Sequence, residues 1–199
     1  MALLCLGLLL SLALCGALQA AAWARIQRDT GALVCADTLR LHIRAESDSV
    51  ADQSAKLHVR DAVLAYLDAA CPAQNKPEAL TWAAQHLFEL QLTARHALAQ
   101  LNIRTPVRVQ LVNMYFDTRR YASGILPAGQ YDALRIQIGA GNGRNWWCVL
   151  YPGLCRAACG GYALPAENDL VCGEYILRFK VVEWVQQRTA RREDVVLVG

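Results

Sequence analysis

The first 24 residues contain no Asp, Glu, Lys, Arg or His, and 20 of them are hydrophobic. A segment of this kind has no polar face to offer water, so it enters a bilayer or is removed on export. Whatever folds in water must come from the 175 residues that follow, which carry every charge of the 199-residue chain. Without the leader, the hydrophobic share falls from 55% to roughly half, an ordinary globular value. That excludes a polytopic membrane protein, and it is too apolar for a disordered chain.

The leader reads as a secretory signal. An apolar core over 3–14 is followed by the small residues Ala17, Ala20, Ala21, Ala22 and Ala24, and both Ala20-Ala21-Ala22 and Ala22-Trp23-Ala24 fit a small-x-small cleavage pattern. No basic residue precedes the apolar core, and an uncharged run of this length also suffices to span a bilayer. A retained N-terminal anchor therefore stays open beside a cleaved signal. Residues 25–38 read as a linker, 39–187 as the folded domain and 188–199 as a flexible basic tail. A net charge of +3 gives no reason to expect nucleic acid as a partner.

Cys5 and Cys15 lie in the leader, and Cys35, Cys71, Cys148, Cys155, Cys159 and Cys172 follow it. An exported chain with six thiols suggests disulfides, with about 15 possible pairings. Cys148–Cys155 is favoured because so short a loop closes at small entropic cost; Cys159–Cys172 is a second candidate. A zinc site is the rival, but of the gaps between the last four cysteines only the one between Cys155 and Cys159 has metal-ligand spacing. No metal or cofactor is expected.

Leu39–Arg44, Val107–Leu111 and Leu134–Ile138 alternate apolar and polar residues, the pattern of half-buried strands. A helix is expected from Val50 to Ala70, with Val59, Val63, Leu67 and Ala70 on its buried side. A second runs from Lys76 to about Leu101, with Leu80, Ala84, Leu87, Gln91, Ala94, Leu98 and Leu101 as its stripe. Residues 121–131 read as a reversing connection and 139–155 as a loop, and a last helix is plausible from Cys172 through Ile176, Phe179, Val182 and Val185. The expected fold is α+β: a small antiparallel or mixed sheet with two or three helices on one face, plus a disulfide-stabilised loop region. The other face, with Arg40, His42, Arg44, Arg108, Gln110, Arg135 and Gln137, should be in water or against a partner.

Catalytic patterns are weak. Gly139, Gly141 and Gly143 match neither a dinucleotide nor a phosphate-loop fingerprint, and are expected to supply positive φ in a turn. Cys148 would need one of His42, His58, His86 or His96 as a base, and nothing in the spacing selects one. No catalytic residue is assigned. The most unusual feature is Trp146-Trp147, whose side chains point opposite ways on an extended chain, leaving one free for a partner.

Two segments carry a resemblance. The first is Leu39-Arg40-Leu41-His42-Ile43-Arg44-Ala45-Glu46-Ser47-Asp48-Ser49, with Asp52-Gln53, Lys56-Leu57 and Val59-Arg60-Asp61-Ala62-Val63. The second is Pro127-Ala128-Gly129-Gln130-Tyr131-Asp132-Ala133-Leu134, then the three glycines, then Asn145-Trp146-Trp147-Cys148-Val149-Leu150-Tyr151-Pro152 through Leu154-Cys155. Together these resemble the stage II sporulation protein R family of endospore-forming bacteria. The resemblance implies a secreted signalling protein with no catalysis of its own. It would be exported across the forespore membrane into the space before the mother cell. There it would activate a membrane aspartic protease, stage II sporulation protein GA, which removes the pro-sequence of sigma factor E. The expected contact is Asn145, Trp146, Trp147 and Tyr151, with the arginine face second and membrane contact only through the leader. An exported cysteine-dependent or cell-wall-acting hydrolase is the alternative.

Overall fold

The computed structural model describes residues 2–121, 124–152, 164–172, 184, 188 and 195–199. The chain begins with one long helix, α1 (Ala2–Asp37), and then strand β1 (Leu39–Arg44). Three helices follow: α2 (Val50–Ala70), α3 (Lys76–Gln85) and α4 (Leu87–Gln100). Next come β2 (Val107–Phe116), a small hairpin of β3 (Arg119–Tyr121) and β4 (Gly124–Leu126), β5 (Gly129–Ile138) and β6 (Asn145–Tyr151). Helix α5 (Pro165–Cys172) and strand β7 (Val195–Val198) complete the described elements. The main sheet has five strands in the order β6-β1-β5-β2-β7. Strands β1 and β5 are parallel and the other pairs antiparallel, so the expected α+β class holds with a mixed sheet.

Helix starts follow from their caps. Ser49 Oγ accepts from Asp52 N at 3.1 Å and begins α2. Asn75 Oδ1 accepts from Glu78 N at 2.9 Å, and Glu78 Oε2 reaches back to Gln74 N at 2.9 Å, so α3 starts on a reciprocal cap. The single helix expected over 76–101 is broken at His86. Its Nδ1 shares the Trp82 carbonyl with its own backbone N–H, at 2.7 and 3.1 Å, which interrupts the ladder. The break re-phases the buried stripe: Ala79, Ala83, Leu90, Ala94, Ala97 and Leu98 face the sheet, while Leu101 is exposed.

Alternation along the strands produces the main core. Leu39, Leu41, Ile43, Val107, Val109, Leu111, Leu134, Ile136 and Ile138 turn toward α2–α4, against Val59, Val63 and Leu67. Each such side chain contributes about 1.5–3 kcal/mol by leaving water. The second face departs from expectation. Part of it is covered by the last turns of α1, by α5 and by the hairpin, giving two smaller clusters around Val34, Leu126 and Val149 and around Cys35, Phe116 and Tyr131.

Several expected loops are structured. Residues 25–37 continue α1 rather than forming a linker, and Thr30, Val34 and Cys35 are buried. Residues 145–151 form an edge strand, not a loop, and β5 extends back to Gly129. Val195–Val198 pairs with β2, so this part of the tail is held in the sheet. The helix expected through Ile176, Phe179, Val182 and Val185 lies outside the described residues.

From Leu4 to Trp23 the apolar leader is exposed in α1, which is long and apolar enough to cross a bilayer and is compatible with a signal peptide or an anchor. Beginning the chain at Arg25 should leave thermal stability unchanged. Beginning it at Leu39 should cost about 3 kcal/mol or more, because Val34 and Cys35 leave holes between α5, β2 and β5. Equal melting temperatures for the two truncations would show that the last turns of α1 do not hold the domain.

Candidate functional site

The two motif segments meet in space, and one clamps the other. After β5 the chain turns through Gly139 and Gly141, both at positive φ (56° and 65°) as expected of glycines in a turn. Glu46 Oε2 accepts from Ala140 N at 3.0 Å, and Asp48 Oδ1 accepts from Arg144 N at 2.6 Å. Asn142 N and Gly143 N donate to the carbonyls of Glu46 and Ala45 at 3.1 and 3.0 Å. Lys56, 4% exposed, reaches from α2 and donates to Arg144 O at 3.0 Å and Gln53 Oε1 at 2.7 Å. Burial holds its ammonium below the ordinary lysine pKa. Gly143 answers to space rather than to φ: a Cβ there would stand 2.1 Å from Ser47 O. The polar run from Glu46 to Lys56 is thus a cradle for the glycine loop, and the loop delivers the chain to Asn145 at the start of β6.

Strand β6 pairs with β1 as one edge of the sheet, with His42 opposite Trp147 and Leu41 opposite Cys148. The two tryptophans do point to opposite faces, but both are half-buried rather than one buried and one free. Trp146 packs beside α2, with the Arg60 guanidinium 5.2 Å from its ring centre. Trp147 stacks on His42 (centroids 4.2 Å, 5° between planes) and meets Phe116 edge-on at 4.8 Å, with Arg119 5.4 Å from its centre. For Phe116, at the far end of β2, to reach Trp147 across the two intervening strands β5 and β1, the sheet must coil strongly. Asn145 is exposed and Tyr151 half-buried.

Arg40 and His42, expected in water, are instead 0% and 3% exposed. The Arg40 guanidinium lies 4.0 Å from the Phe116 ring centre and 4.9 Å from that of Tyr131, and donates to Tyr121 Oη at 2.5 Å. No carboxylate among the described residues pairs with it, and its Nε and Nη1 have no hydrogen-bond partner. The aromatic ring faces, each worth up to about 2 kcal/mol to a desolvated cation, replace a counter-ion. Burial is the first cause that lowers the His42 pKa to about 4; Arg44, Arg135 and Arg40 push the same way, against a 3.0 Å hydrogen bond to Asn145 Oδ1. His42 is therefore neutral at physiological pH.

Cys148 faces the α2–α4 side of the sheet and His42 the other. His58 bonds Gln100, and His86 stacks on Trp82. Among the described residues no group of three His, Cys, Asp or Glu side chains is placed to hold a metal. Cys5, Cys15, Cys35 and Cys71 are free thiols; Cys148 is not among them, and Cys155 lies outside the described residues. Sequence reasoning missed the aromatic cage, although the aromatic residues Phe116, Tyr121 and Tyr131 cluster along the chain near one another.

The family model described as Stage II sporulation protein R matches residues 35–160, from the last turn of α1 through β6. The chain belongs to the stage II sporulation protein R family. It is 36% identical over 118 residues to Stage II sporulation protein R of Bacillus subtilis (strain 168), an alignment covering 59% of this chain and 53% of that protein. The chain thus spans about half the length of the curated relative it matches. No solved structure matches it. The matched region takes in the cradle, the glycine loop, the cage and both tryptophans, and leaves out α5 and β7.

Proposed function

We propose that this protein is a secreted signal of endospore formation, passing from the forespore into the space before the mother cell. It activates the membrane aspartic protease stage II sporulation protein GA to process pro-sigma-E, and performs no catalysis itself. Membership of the stage II sporulation protein R family carries this reading. The apolar leader is compatible with export or anchoring. The contact surface is β6, through Asn145, Trp146, Trp147 and Tyr151. Strand β6 suits that role because it is a sheet edge whose position is fixed by the cradle below it.

The decisive experiment reconstitutes the protease and pro-sigma factor with and without this protein; equal processing in both sinks the proposal. Within that assay, Trp147→Ala should lower processing at least about tenfold, as loss of a central aromatic contact does. Trp146→Ala and Trp147→Ala that are both secreted, folded and fully active would remove β6 as the contact.

We also propose that Cys148 is bridged to Cys155, locking the chain that leaves β6. Cys148 is not among the free thiols, which supports a bridge at this position. Cys148→Ser should then cost about 2 kcal/mol of stability under oxidising conditions. An unchanged melting temperature, or a Cys155 thiol that labels in the native protein, would exclude the bridge.

A further inference from the structure

Arg40, Arg44, Arg108 and Arg135 lie on one face of β1, β2 and β5, with His42 among them; on that face of β1, β2, β5 and β6 no described position is Asp or Glu. Like charges on neighbouring strands repel unless something neutralises them. Arg40 is sealed in its aromatic cage, and Arg135 is engaged by Gln110 at 2.9 Å. The other two are differently placed. Arg44 is half-exposed and its Nε has no hydrogen-bond partner, while Arg108 is exposed. They stand at the same height on the sheet, each opposite Gln137 of the strand between them, with Asn145 opposite Arg44 on the outer side. Two strand spacings separate them, about 10 Å. Alternate side chains of an extended peptide are about 7 Å apart, a separation that two long arginines can bracket.

The position on the sheet bears on what arrives there. Helix α1 docks at the opposite end, where Cys35 lies against Gly129. Gln137 is eight residues further along β5, about 26 Å at 3.3 Å per residue. A bilayer at the leader end is thus remote from these arginines. Resting on the reading that this protein acts by touching a partner, we propose that the Arg44–Arg108 end of this face docks an acidic stretch of the partner polypeptide. Arg44 and Arg108 receive its carboxylates, and Asn145 adds an amide donor beside them, while the Gln137 amide between the arginines is held by the carbonyls of Gly139 and Ala140. Trp147, next to Asn145 on the same face, makes this surface continuous with the β6 contact.

The test uses the full chain in zwitterionic micelles and a fluorescein-labelled hexaglutamate peptide, followed by anisotropy. The wild-type protein should bind the peptide with an affinity that falls as salt rises. Arg44→Gln with Arg108→Gln should bind at least about tenfold more weakly, whereas Arg44→Lys with Arg108→Lys, which keeps the charge, should retain most of the affinity. Equal peptide affinity in the wild type and the glutamine variant overturns the proposal. So does an unchanged peptide affinity accompanied by lost binding to phosphatidylglycerol-doped micelles, which would make the face a lipid contact. Peptide binding lost in the glutamine variant while pro-sigma processing stays normal supports the docking site and sinks the signalling role assigned to it. A wild type that binds no peptide sinks the site and leaves the family reading intact.

Discussion

Gly143→Ala is expected to destabilise the domain by more than about 3 kcal/mol and to yield little folded protein. The new Cβ would stand 2.1 Å from Ser47 O, 2.5 Å from Ser47 C and 3.0 Å from Ala45 Cβ. Two of these are backbone atoms, so no side-chain rotation relieves the clash; the glycine loop must move off the β1–α2 connection. That movement breaks Gly143 N to Ala45 O, Asn142 N to Glu46 O and Arg144 N to Asp48 Oδ1 together, and leaves Lys56 buried with one carbonyl fewer. In a domain of this size the loss corresponds to roughly 10 °C in melting temperature. Gly141→Ala makes the comparison. It has the less favourable φ, but its contact is the flexible side chain of Gln137, so it should cost only about 1 kcal/mol. Thermal melts of the two variants decide the matter: if Gly141→Ala is the worse, backbone conformation rather than the cradle controls this loop.

The second large effect is a loss of stability in mild acid. His42 has a folded-state pKa of about 4 against 6.5 for the free side chain. Between those values the unfolded chain binds a proton that the folded chain refuses, so stability rises with pH through the window. The contribution is complete above about pH 6.5 and is lost as pH falls toward 4, to a total on the order of 3 kcal/mol. Glu167 works in the opposite sense, since burial and then Asp37 hold its pKa above the ordinary carboxyl value. The informative quantity is therefore the difference between wild type and His42→Gln, which cannot titrate. Urea unfolding at pH 7, 5.5 and 4.5 should show that difference shifting toward the variant by about 1–3 kcal/mol as pH falls. Parallel stability curves would mean that His42 takes up its proton as readily in the folded protein as in the unfolded chain.

Period-two alternation made β1, the first half of β2 and the second half of β5 legible, because these strands bury one face and expose polar residues on the other. The same rule failed for β6. Asn-Trp-Trp-Cys-Val-Leu-Tyr carries large apolar side chains on both faces, since α2 lies on one side and the rings of His42 and Phe116 on the other. Strand β7 was hidden for a different reason: four apolar residues after a basic stretch have no turn or pattern of their own, and only pairing with β2 defines them. Of the candidate site, the residues were legible but their surroundings were not. Asn145, Trp146 and Trp147 stood out by composition. That they rest on a cradle built from Glu46, Asp48 and Lys56, about 90 positions away in sequence, is a contact between distant segments that no local pattern encodes.

By itself the sequence determined the uncharged leader, the α+β class, the strand and helix cores, and the resemblance to the family to which the chain belongs, because charge, periodicity and motif are local properties. Only the tertiary structure decided which polar residues stay wet. Arg40, His42 and Arg44 alternate identically along β1, yet the first two are buried and the third is half-exposed. Burial depends on what the last turns of α1, the hairpin and the curled end of β2 bring over each position. A strand pattern specifies the face a side chain takes, while distant elements specify whether that face meets water.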